Sequence, residues 1–101
     1  MSKPVSKEGP KIEIALDEEM AQGTYANLAV INHSDAEFTL DFIFVQPQVP
    51  RGKVCARIIT SPRHAKRLLQ ALEENLRRYE QAHGAIDLAP QATPPEVGPY
   101  H

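Results

Sequence analysis

The stretch from Lys53 to Gly84 constrains this chain most. A run of strand formers, KVCARIIT, ends at Ser61-Pro62 and gives way to one long amphipathic pattern closed by Gly84. Ser61 is an N-cap by type, because its hydroxyl can accept an otherwise orphan backbone N–H. Pro62 loses nothing at the first helical position by lacking one. Ala65, Leu68, Leu69, Leu72, Leu76 and Tyr79 recur at three- and four-residue steps and form a single apolar stripe. Gly84 can take the left-handed conformation on which helices commonly end. The spacing therefore predicts a strand followed by a helix over Pro62–His83, about 33 Å long at 1.5 Å per residue.

Upstream, KIEIAL alternates Ile12, Ile14 and Leu16 with Glu13 and Ala15, the two-residue period of a half-buried strand. Thr24–Asn32 is rich in strand formers, and Glu37–Gln46 sets Phe38, Leu40, Phe42 and Phe44 on one face. The intervening His33-Ser34-Asp35-Ala36 reads as a hairpin connection. Its length places Tyr25, Asn27, Ala29 and Ile31 on the same face as those four side chains. Pro47–Gly52 is a loop, since its two prolines cannot donate to a ladder. The predicted fold is α+β: an antiparallel four-stranded sheet followed by one long C-terminal amphipathic helix, in the order ββββα.

A chain of 101 residues has room for one domain, and a domain so small buries little core. That domain is expected over residues 11–88. Residues 1–10, rich in Lys, Ser, Pro and Gly, and residues 89–101, with Pro90, Pro94, Pro95 and Pro99, read as flexible tails. The formal charge of −2, with both signs interspersed, gives no electrostatic reason for a polyanion or an anionic membrane as main partner. A single cysteine, Cys55, forms no internal disulfide, MSKPVSKEGP lacks the apolar core of a signal peptide, and no apolar run approaches a membrane span. A cytoplasmic setting is expected.

The second face of the hairpin carries Ala26, Leu28 and Val30 from one strand and Ile43 and Val45 from the next, so both faces are apolar. One helix has one stripe and covers one face. Removing on the order of 200 Å² of this second face from water is worth roughly 5 kcal/mol at about 25 cal/mol per Å², comparable with the stability of a small domain. Leu28, Val30, Ile43 and Val45 are therefore the candidate oligomer interface, and a homodimer or higher oligomer is expected. The competing reading is a curled sheet packed within one chain, aided by Met20 and Ile86.

No residue set amounts to a catalytic or metal signature, and neither cofactor nor metal is expected. His33, His64, His83 and His101 show no metal-ligand spacing, and Cys55 sits inside a strand pattern, where a small buried apolar residue is the plainer reading. Asn27 and Asp41 stand among apolar strand neighbours, so each must have a hydrogen-bond partner, and Arg57 can serve Asp41 if the strand register allows it. A small enzyme with a site near Asn27, His33 and Asp41 is the alternative use of these residues. On the polar face of the helix, Glu73 with Arg77 and Glu74 with Arg78 pair at four-residue spacing. Arg63, Lys66 and Arg67 then remain as the candidate nucleic-acid contact, in an alternative reading of the chain as a single-stranded nucleic-acid-binding module of Whirly-like topology.

The runs TYANLAVINHS, EFTLDFIFVQP, ARIITSPRHAKRLL and ENLRRYEQAHG together resemble a family of small bacterial and archaeal proteins, a domain of unknown function numbered thirty-four sixty-seven. Tyr25, Asn27, His33, Ser34, Phe38, Asp41, Ser61, Pro62, His64, Asn75, Tyr79 and Gly84 are among the positions that carry it. The resemblance implies a shared fold and lends no activity. Whirly-type DNA binders and the SecB export chaperone are similar only in their order of four strands and a helix, and both build symmetric oligomers. Net acidity favours the chaperone-like or adaptor reading: a non-enzymatic, self-associating protein-interaction domain.

Overall fold

A computed structural model describes residues 11–89. They divide into two compact units, one of residues 11–32 and 39–58, the other of residues 33–38 and 59–89. In chain order the elements are α1 (Glu18–Ala21), β1 (Leu28–His33), β2 (Phe38–Val45), β3 (Gly52–Thr60) and α2 (Pro62–His83). The strands form one three-stranded sheet in the order β1-β2-β3. The α+β class holds, but the expected four-stranded sheet does not.

The strand that fails is KIEIAL. Residues 11–17 lie in no regular element, and Ile12, Ile14 and Leu16 are 81%, 87% and 68% exposed. Alternation makes a segment fit for a sheet, yet a strand exists only where a neighbour completes its ladder. Residues 11–16 make no backbone hydrogen bond to any described residue. The acidic run after them closes the single turn α1, where Ala21 N–H donates to Asp17 O at 2.8 Å, and Gly23 then takes a φ of 78°. The tail expected at residues 1–10 and, but for Ala89, the one expected at residues 89–101 lie outside the described residues.

The β1–β2 hairpin turns on Ser34. Its N–H donates to Glu37 O at 2.9 Å, and its Oγ accepts from the N–H groups of Ala36 and Glu37 at 3.1 and 3.2 Å. A short hydroxyl side chain thus satisfies the donors of a tight loop. The predicted parity follows: the rings of His33 and Phe38 stack at 5.3 Å, and Tyr25 meets Phe44 edge-on at 6.1 Å. The β2–β3 loop is closed by Gln46 N–H to Arg51 O at 3.2 Å. Gly52 then passes so close to β2 that a Cβ there would lie 3.0 Å from Ile43 Cγ2.

The helix has the boundaries read from its caps. Ser61 Oγ accepts His64 N–H at 3.1 Å, and Pro62 is the first residue of α2. Beyond His83, Gly84 takes a φ of 93° and donates its N–H to Glu80 O at 2.8 Å, while the Glu80 carboxylate accepts Ile86 N–H at 2.9 Å. No helix among the described residues is long and apolar enough to cross a membrane.

Only Leu40, Ile43 and Asp41 are buried among the described residues, and all three lie on β2. Among the described residues the sheet's central strand therefore supplies the whole of the buried core. No residue of α2 is buried. Met20 and Ile86, the two residues assigned to cover the sheet in the curled alternative, are 71% and 42% exposed.

Candidate interaction surfaces

Two polar contacts fix the sheet. Arg57 on β3 grips Asp41 on β2 with two parallel bonds, Nε to Oδ1 at 2.7 Å and Nη2 to Oδ2 at 2.8 Å. The Asp41 side chain is 1% exposed and that of Arg57 54%. The guanidinium caps a buried carboxylate from the rim, a bidentate geometry that lysine cannot reproduce. At the start of β1, the carboxamide of Asn27 acts as a substitute peptide group. Its Nδ2 donates to Val45 O at 3.0 Å, its Oδ1 accepts Val45 N–H at 2.8 Å, and its own N–H donates to Ile43 O at 3.0 Å.

These engagements account for the residues of the candidate small-enzyme site. Asn27 pins β1 to β2, Asp41 joins β2 to β3, and the His33 ring lies on Phe38 at the other end of β1 from Asn27. Among the described residues no group of three or more His, Cys, Asp or Glu could hold a metal ion. Cys55 lies exposed rather than buried, its Sγ 3.8 Å from Tyr25 O. The backbone leading into β1 thus passes β3.

Of the four residues expected at the oligomer interface, Ile43 is buried and Leu28, Val30 and Val45 are half-buried. Larger apolar exposure lies elsewhere. Along α2, Leu68, Leu69, Leu72, Leu76 and Tyr79 are 41% to 55% exposed, and they line up at the helical spacing that the sequence shows. Leu72, Leu76 and Tyr79 join His83 and Ile86 in an open depression beside the helix C-terminus. The stripe was legible in the sequence, but its exposure was not, because periodicity marks an apolar face without saying what meets it.

The charged face of α2 keeps one of the two expected four-residue pairs, Glu74 with Arg78, while Arg77 turns to Glu74 in place of Glu73. Glu74 takes both arginines, Arg77 through two bonds at 3.2 and 2.5 Å and Arg78 at 3.5 Å. Arg63, Lys66 and Arg67, the candidate nucleic-acid contact, are exposed and have no ion-pair partner among the described residues.

The profile of one protein family, described as protein of unknown function (DUF3467), matches residues 1–88. No curated protein and no solved structure matches the chain.

Proposed function

We propose that this chain, which belongs to the DUF3467 family, is a non-catalytic domain that binds copies of itself and serves protein–protein interaction as an adaptor or chaperone-like module. The observation that carries this reading is the uncovered stripe of α2. A 22-residue helix with no buried residue and five large apolar side chains at 41% to 55% exposure keeps about half of its apolar face in water. Helices in proteins draw most of their stability from packing that face, so a covering surface is required. The sheet cannot compensate, because two buried apolar residues make a very small core. A second copy brings the same stripe, and an isologous pairing covers both at once. The setting proposed is the cytoplasm of a bacterial or archaeal cell, which keeps the exposed Cys55 reduced.

Sedimentation velocity across a hundredfold range of concentration tests the reading. The expected result is a dimer or higher oligomer, with Leu72→Glu shifting the distribution toward the single chain. A folded protein that sediments as one 11.2 kDa chain at every concentration refutes it.

The exposed cations Arg63, Lys66 and Arg67, without an ion-pair partner among the described residues, favour one other reading, a single-stranded nucleic-acid-binding module. It requires a salt-sensitive mobility shift with an oligonucleotide that weakens when the three are replaced by Ala. Absence of any shift at low salt removes it.

A further inference from the structure

The segment Lys11–Leu16 and the outer edge of β3 are each half of a strand pair. The segment has the alternation of a strand and makes no backbone hydrogen bond to any described residue, and its three large apolar side chains are more than two-thirds exposed. Among the described residues β3 is an edge strand that pairs with β2 on one side only. It offers Val54 and Ile58 at 37% and 49% exposure. An uncovered edge of nine residues is a template for another strand. Among the described residues neither half has a main-chain partner for the other side of its ladder.

We propose that residues 11–16 add as a fourth strand to the β3 edge of a second copy, so that two chains exchange arms. This deepens the self-association proposed above and rests on it. Three observations select this occupant and this edge. Charge is complementary: the arm carries Glu13 and runs straight into Asp17, Glu18 and Glu19, whereas β3 and the residue before it carry Arg51 and Lys53, besides the Arg57 already held by Asp41, and no acid. The other edge, β1, contains no residue of fixed charge. The path of the chain agrees, since the backbone entering β1 comes within 3.8 Å of β3, at Tyr25 O and Cys55 Sγ.

The area is also adequate. An arm and its edge contribute five large apolar side chains, and a symmetric exchange uses ten. At roughly 100 Å² each, with the added backbone, these reach the about 1,200–2,000 Å² of a stable interface. Main-chain bonds of the added strand would give affinity, and alternate side chains the register.

The test combines a variant with a direct contact measurement on the full chain. Ile12→Glu with Ile14→Glu places charge at two positions more than 80% exposed in the single chain, so far-UV circular dichroism should keep its shape. The dimer dissociation constant should rise at least tenfold. In a half-labelled dimer, isotope-filtered spectra should show contacts between Ile12 or Ile14 methyls of one copy and Val54 or Ile58 methyls of the other. A dimer that neither weakens with this variant nor shows those contacts overturns arm exchange and leaves self-association standing. A wild-type protein that never dimerises overturns both.

Discussion

Arg57→Ala removes the guanidinium from a carboxylate that is 1% exposed and held by two bonds of 2.7 and 2.8 Å. Breaking an ion pair from one side costs about 3–5 kcal/mol when both groups are buried, because one charge stays in the interior uncompensated. Here Arg57 keeps 54% of its side chain in water, and water can enter where the guanidinium lay. That lowers the expected cost to about 2–3 kcal/mol, near the range for hydrogen bonds to charged groups. With a urea slope of about 1 kcal/mol per M for a domain this small, the midpoint should fall by about 2 M. Wild type and variant must be compared at one protein concentration, since the proposed association would add its own stability. Arg57→Lys should recover only part of the loss, because a single ammonium cannot grip both oxygens. The double replacement Asp41→Leu with Arg57→Leu should cost less than Arg57→Ala alone, as it leaves no charge behind. If Arg57→Ala lies within about 0.5 kcal/mol of wild type, the ordinary scatter of surface substitutions, the pair does not hold β2 to β3 and the reasoning fails.

Asn27→Asp should destabilise more than Asn27→Ala, because it sets a carboxylate oxygen against the Val45 carbonyl where Nδ2 now donates at 3.0 Å. The Ala variant should cost about 1–2 kcal/mol for two lost bonds at an exposed site, with faster hydrogen exchange at the Val45 amide. Ser61→Ala should cost about 1 kcal/mol and lower helical circular dichroism at elevated temperature, since His64 N–H loses its acceptor.

The helix was legible to the residue because its signals are local. Ser61-Pro62 and Gly84 act through bonds to neighbours three or four positions away, which any surroundings would leave in place. The hairpin parity was legible for the same reason, being set by a short loop around Ser34. The failed strand shows where such reading stops. Ile12, Ile14 and Leu16 have the period of a strand as clearly as β2 does, but the pairing partner is a property of the whole assembly, not of the segment. The interface residues illustrate the same boundary: Leu28, Val30, Ile43 and Val45 were chosen by alternation, while exposure concentrates on α2 and on the arm.

Asp41 explains why so small a core can still define one sheet. With Leu40 and Ile43 the only buried apolar residues among those described, the hydrophobic effect says that β2 belongs inside but discriminates weakly between registers. A slip of β3 by one residue would turn Arg57 to the opposite face and leave the buried carboxylate without its guanidinium, at a cost of about 2 kcal/mol or more. A slip of β1 would likewise strip Val45 of the reciprocal bonds from Asn27. The two polar contacts act on different strand junctions, so together they fix all three strands with hardly any apolar volume. That division of labour leaves Ile12, Ile14, Leu16 and the stripe of α2 exposed, which is the surface that the proposed second copy would cover.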